Sequence, residues 1–370
     1  VKEALRQLPE AYVMGEGKDR IVMRARKPED TTPPVLHGGP TGTLCSEGDV
    51  YLKTLISYAK EPVVDSLGAG SLRTVNGVVI RTASPLNFRA ARIGAEMARE
   101  ALIRAGRPGL HINDVAVVVP EAKLAALDPH RGIRPSDGLL VSQMVEFKVS
   151  LHHLSLVEHL LAYGCFISDL MTPIQGGYAG GPEGTAIVTV AEHLLGLMCY
   201  HAEYHFLSLT HMLTLNNTDR GGLWIVSIVG QALSRNTRIL SAYDCYVSSG
   251  PGTDMILREV AAGGITASVS GIHLEGVGSA GGKLVDHATG LECRFLGEVG
   301  KSSAGLRRSE ANEIVKELLK EYEDRLTSAP KGKTFQELYD MYKVEPKEEW
   351  RQKYEAAYRR IEGLGISIRF

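Results

Sequence analysis

Residues 176–187, GGYAGGPEGTAI, place five glycines and one glutamate ahead of an apolar helical pattern. Bare backbone of this kind can wrap an anion with its N–H groups. The stretch lacks the Lys-Ser/Thr ending of a phosphate loop, and GAGSLR, residues 68–73, has Arg73 where a dinucleotide fingerprint needs its third glycine. Tight turns at the catalytic end of a barrel are the plainer role for these glycines. Glu183 asks for more, because a carboxylate just ahead of a helix start is stabilised by the helix dipole and, in a barrel, is expected to point into the mouth.

Histidines form the second group of candidates, in HHLSLVEH (His152, His153, His159) and HAEYH (His201, His205). The second has the i,i+4 spacing that would set two imidazoles on one helix face. Glu203 stands one position off the H-E-x-x-H pattern and the helix is expected to end there, so no metal site is expected. His211, in LTHML, falls near the end of a predicted strand, where barrel enzymes carry catalytic residues; a hydrogen-bonded core histidine is the equal alternative. No lysine occurs between Lys148 and Lys283, which argues against Schiff-base chemistry in that part of the chain. The chemistry then falls to carboxylates, phenols, imidazoles and amides. SAYDCYVSSGPGTD offers Asp244 and Tyr246 on one face of a strand by their i,i+2 spacing, with a structural strand pair as the alternative.

The elements that must position these residues follow from the apolar pattern. PPVLHGGPTGT and EPVVDSLGAGS read as strands running into glycine loops. SPLNFRAARIGAEMAREALIRAGRPG reads as a helix with Ser84 as cap, Pro85 in its first turn and Gly106 as its stop. DVAVVVP, residues 114–120, has the continuous β-branched pattern of a strand buried on both faces. Further on, TAIVTVAEHLLGLMCYHA, GGLWIVSIVGQALSRN and GTDMILREVAA read as helices, and HFLSLTHM, RILSAYDCYV and ITASVSGIHL as strands. This alternation predicts an α/β fold, a (β/α)₈ TIM barrel with a C-terminal helical extension. The expected divisions are a lead-in segment over 1–32, a catalytic barrel over 33–326 and the extension over 327–370. The helix starting near Ser309 is expected to close the barrel. The last helix, with Trp350, Tyr354 and Tyr358 on one face, is read either as packing on its own barrel or as an oligomer contact.

The 370 residues are 44% hydrophobic and 23% charged, ordinary for a globular protein. The net charge of −2 makes no electrostatic case for nucleic acid or an anionic membrane. Five scattered cysteines, none spaced as C-x-x-C, argue against a disulfide framework or a thiolate zinc site, and a cytoplasmic location is expected. No run of 18 apolar residues occurs, and a start at Val1 leads us to expect a missing segment upstream.

PIQGGYAGGPEGTAI, HGGPTGT, AGRPG, SSGPGTDM, DHATGLECRFLGEV and SAPKGKTFQELYD together resemble the monomethylamine:corrinoid methyltransferase family, in order from about Val35 to the C-terminus. The resemblance implies a (β/α)₈ barrel assembled as a homo-oligomer. It also implies transfer of a methyl group from a methylamine to the Co(I) of a separate, cognate corrinoid protein, so that no cofactor is held tightly by this chain. The family's pyrrolysine is expected about a dozen residues before the glycine stretch, on or near Leu161, where no lysine-like residue stands. Glu183, Tyr246 and His211 match retained family groups, and Asp244 stands where the family has glutamine. Leu161, His159 and Tyr178 are the expected substrate contacts, and Gly176, Gly177, Gly180, Gly181 and Gly250 the glycines that leave room for the corrin ring. The function implied is methyl transfer without pyrrolysine from a cationic, preferably quaternary, amine, because a quaternary nitrogen is already activated as a leaving group. The alternatives are a non-catalytic barrel that binds a corrinoid protein or small ligand, or a methyltransferase for a non-amine donor.

Overall fold

A computed structural model describes every residue except Ala83, Val118, Val145, Glu146 and Lys148, together with the side chain of Met144. Eight parallel strands alternate with helices along the chain: β1 (Leu36–Gly38), α1 (Asp49–Ala59), β2 (Ser66–Ala69), α2 (Leu86–Arg104), β3 (His111–Val115), β4 (Gly138–Met144), α3 (Leu151–Tyr163), β5 (Phe166–Met171), α4 (Pro182–Tyr200), β6 (Tyr204–Leu207), α5 (Arg220–Asn236), β7 (Leu240–Tyr246), α6 (Asp254–Val269), β8 (His273–Gly278) and α7 (Gly290–Ser302). A 3₁₀ segment, Pro120–Ala126, lies between β3 and β4. The ladder runs β4-β5-β6-β7-β8-β1-β2-β3, a (β/α)₈ barrel. At the β3–β4 seam side chains join the strands: Asp137 Oδ1 accepts the Ile112 N–H (2.9 Å) and Asp114 Oδ1 accepts the Leu140 N–H (3.1 Å).

Local sequence explains the helix starts. Ser150, Asp219 and Thr253 each accept an N–H from the first turn of α3, α5 and α6, and Thr289 with Glu292 makes a capping box on α7. Ser84 Oγ accepts the Leu86 N–H at 3.2 Å, and Gly106, at φ +73°, follows the end of α2. Two strand expectations shift. Residues 265–269 of ITASVSGIHL finish α6, and the strand begins only after Gly271, at φ +85°. Nearly every residue of α6 is buried, so the helix is apolar all round and mimics a strand run. The strand expected over residues 114–120 begins at His111 and already ends at Val115; Val118 is outside the described residues.

The barrel floor is sealed twice. His37 stacks on Tyr204 at 5.2 Å, and Tyr204 shares a hydrogen bond with His111 Nε2 (3.0 Å). Beneath them, a hairpin of Ala11–Met14 and Ile21–Arg24 inserts Met14 and Met23 against Leu140, Tyr204 and Phe206. Among the described residues, the free space within the barrel opens at the C-terminal ends of the strands.

The eighth helix position belongs to α7, so the helix near Ser309, α8 (Arg308–Lys320), does not close the barrel. It packs outside, against α6. A short α9 (Phe335–Leu338) leads to α10 (Glu348–Gly363). Trp350 is fully buried with its indole N–H donating to Thr289 Oγ1 (3.2 Å), and Tyr354 donates to Glu298 and meets Phe295 edge-on. Of the two roles expected for the aromatic stripe, packing on its own barrel is the one observed.

Candidate active site

The C-terminal mouth holds a cavity of about 600 Å³. Asp244 of β7 and Glu275 of β8 line it as direct partners in the ladder. Ser208 Oγ donates to Asp244 Oδ2 at 2.7 Å, while Asp244 Oδ1 and Glu275 Oε2 are buried without a hydrogen-bond partner among the described residues. An unsatisfied buried carboxyl oxygen is costly and calls for a counter-charge or a proton. Burial pushes Asp244 up to about 7, against the lowering effect of the Ser208 hydrogen bond. Burial also drives Glu275 well above the carboxylate range, with Asp244 and then Asp114 adding to it. Tyr246 completes the group; burial first, then these carboxylates, hold its phenol well above its ordinary pKa.

Glycines at the mouth make this arrangement possible. Gly276, at φ +76°, sits in a bulge of β8, and a Cβ there would lie 2.6 Å from Thr41 Oγ1 and 3.0 Å from Asp244 Oδ1. A Cβ on Gly42 would fall 2.1 Å from the Tyr246 hydroxyl. Asn217 fixes the end of β7 from behind: its amide donates to the Asp244 carbonyl (2.8 Å), and its Oδ1 accepts the Tyr246 N–H (3.1 Å).

Across the cavity, at the seam, Lys123 Nζ donates to Asp114 Oδ1 (2.7 Å) and to the Leu140 carbonyl (2.8 Å). The pair therefore supplies part of the strand junction that the ladder lacks. Lys123 lies upstream of the lysine-free interval, so the mouth does contain a lysine, and both its hydrogen bonds are structural.

Of the expected site residues, Asp244 and Tyr246 line the cavity, and the others stand elsewhere. Glu183 is exposed in the first turn of α4 and does not turn into the mouth. Leu161 is 43% exposed on the outer side of α3, and His159, on the same helix, is exposed with Nδ1 against the Ser155 carbonyl. A helix over 151–163 carries both on the outside of the barrel, away from the cavity lining. Tyr178 is exposed and donates to Glu192 Oε1 (3.1 Å). His211 pairs with Gln175 in a short parallel extension of β5 and β6 and accepts from Thr214. Gly250 is buried, with the position of a Cβ 1.8 Å from the Lys331 carbonyl, so its lack of a side chain serves chain packing. Gly176, Gly177, Gly180 and Gly181 form an exposed rim loop closed by the Gly176 N–H donating to the Gly180 carbonyl (2.7 Å). Nothing lies within 4 Å of a Cβ at Gly180. His201 ends α4 at φ +54° while His205 lies inside β6, so the two do not share a helix face. Among the described residues no cluster of three metal-ligating side chains occurs, and no helix is long and apolar enough to cross a membrane.

Sequence reading missed Glu275, Asp114, Lys123 and Asn113, which also lines the cavity. Glu275 carried a signal, a glutamate followed at once by glycine at a strand end. The seam pair joins elements through tertiary contacts that spacing alone does not reveal.

The chain is similar throughout to characterised methyltransferases. The family model for monomethylamine methyltransferase MtmB matches residues 1–366. Monomethylamine methyltransferase MtmB2 of Methanosarcina barkeri is 37% identical, over 98% of this chain and 80% of its own length. The MtmB protein of Methanosarcina mazei is 35% identical with the same coverage. The crystal structure of the Methanosarcina barkeri monomethylamine methyltransferase superposes with a TM-score of 0.95 at 35% identity, covering 99% of this chain and 80% of that one.

Proposed function

The chain belongs to the monomethylamine methyltransferase family, and from that premise we propose that it moves a methyl group from a methylated ammonium ion to a corrinoid carried by a separate protein. The observation that carries the cationic donor is the Asp244–Glu275 pair, a buried and a partly buried carboxyl group that each present a buried, unpartnered oxygen among the described residues at one cavity.

A cation seated there supplies the missing counter-charge, and Tyr246 adds the face or the oxygen of its ring. In the transfer, the carbon–nitrogen bond breaks with its electron pair remaining on nitrogen, and the methyl carbon bonds to the acceptor. A donor that starts as a cation leaves as a neutral amine, so no proton need be delivered during the step. The corrinoid, when its carrier docks, supplies the nucleophile. The glycines Gly176, Gly177, Gly180 and Gly181 are exposed and leave that loop with few side chains of its own besides Tyr178. This chain's part is to hold the donor nitrogen at the carboxyl pair, turn one methyl toward the opening and exclude water.

The test is methyl transfer to a reduced corrinoid, followed by its absorbance, with quaternary amines, protonated methylamines, methyl thioethers and methoxy compounds as donors. Turnover confined to ammonium donors and lost in Asp244→Asn supports the proposal. Turnover with neutral thioether or methoxy donors alone contradicts it.

A further inference from the structure

The cavity extends well past the carboxyl pair. From Asp244, Tyr246 and Glu275 it crosses the barrel to the β3–β4 seam and continues to Leu156 and His153 of α3. The intervening walls include Val117, Pro120, Leu140 and Leu170, with Asn113, Ser142 and Gln143 set among them. The ion pair on this side, Lys123 with Asp114, is internally compensated, and burial lowers the pKa of His153, which favours the neutral ring. The cavity is thus charged at one end and mainly apolar at the other.

Its size is informative. Cavities of about 300–1,000 Å³ enclose drug-sized ligands, whereas a tetramethylammonium head is a handful of heavy atoms. The acceptor does not account for the surplus, because Leu140 and Leu156 are buried inside the chain and a broad macrocycle must come from the open rim.

We propose that the donor carries an extended apolar substituent on its nitrogen, seated in the arm between the 3₁₀ segment and α3 while Asp244 and Glu275 hold the ammonium. This rests on the cationic-donor reading above and deepens it. Val117 and Leu170 are then specificity residues for the substituent.

Calorimetric binding of tetramethylammonium, n-butyltrimethylammonium and the neutral carbon isostere of the latter separates the two claims. Each buried methylene is worth roughly fourfold in affinity, so three should strengthen binding by about tenfold to sixtyfold. In Val117→Phe or Leu170→Phe, each checked for folding by its melting curve, the ratio of butyl to tetramethyl affinity should fall toward one. Equal affinity of the two cations in the unmodified protein overturns the arm and leaves the cation site standing. Equal affinity of the butyl cation and its neutral isostere overturns the cation site and leaves the arm. Absence of binding by all three overturns both.

Discussion

Asp244 and Glu275 are direct partners in the β7–β8 ladder, each with one buried carboxyl oxygen that has no partner among the described residues. Two adjacent acids in a low-dielectric mouth cannot both ionise cheaply without a cation. The empty site therefore stores protons, and an occupied one exchanges them for a ligand charge.

The first consequence concerns stability. Asp244 is raised from its ordinary value to about 7, so its stabilising contribution is complete below about pH 4 and lost as pH rises through 7. Glu275 shifts in the same direction. Other buried acids, among them Glu192 and Glu292, add to the slope. The melting temperature of the ligand-free protein should fall between pH 5 and pH 8, and Asp244→Asn should flatten that fall. An unchanged slope in the variant would show that Asp244 is not among the groups responsible.

Ligand binding should run the opposite way with pH. A fixed-charge cation favours the ionised pair, so its affinity should rise through pH 7, by up to about tenfold per unit while one proton is released. Among the described residues, the other titratable groups near the pair include Tyr246 on β7, His37 on β1, Asp114 on β3 and Lys123. Burial holds the phenol of Tyr246 protonated and His37 neutral, and Lys123 offsets Asp114. Calorimetry of tetramethylammonium in buffers of different ionisation enthalpy measures the proton count directly. A count of zero at pH 6.5 would rule out exchange at this pair.

Gly276→Ala tests the bulge. The new Cβ meets a left-handed φ and lies 2.6 Å from Thr41 Oγ1, so a loss of about 1–3 kcal/mol in stability is expected, with displacement of Asp244. Tetramethylammonium affinity should fall more than tenfold in variant protein that remains folded. Unaltered affinity would mean that the bulge does not position the carboxylate.

These sites differ in how far the sequence revealed them. Asp244 and Tyr246 were legible because i,i+2 spacing on a strand is a rule of backbone geometry. Their neighbour Glu275 was hidden by a misplaced strand: the largely buried α6 is apolar over its last turns, so its end merged with the strand that follows. The glycines of residues 176–181 form an exposed turn-rich loop, and Glu183 beside them is exposed because the first turn of α4 lies outside the cavity wall. Leu161 and His159 were placed by counting back from a motif, and the count lands on the solvent face of α3.

The seam yields a separate prediction. Lys123→Met leaves Asp114 buried without its cation and the Leu140 carbonyl without that donor, which should cost about 3–5 kcal/mol. Adding Asp114→Asn removes the stranded charge, so the double variant should be more stable than Lys123→Met alone in chemical denaturation. Strict additivity of the two substitutions would show that the pair is not coupled.

The most direct test of the account is the affinity of tetramethylammonium for the unmodified protein, Asp244→Asn and Glu275→Gln at pH 8, measured by calorimetry. The account predicts measurable binding that each substitution weakens by at least about tenfold, since each removes a buried charge from the pair. Binding that survives both substitutions unchanged would contradict it.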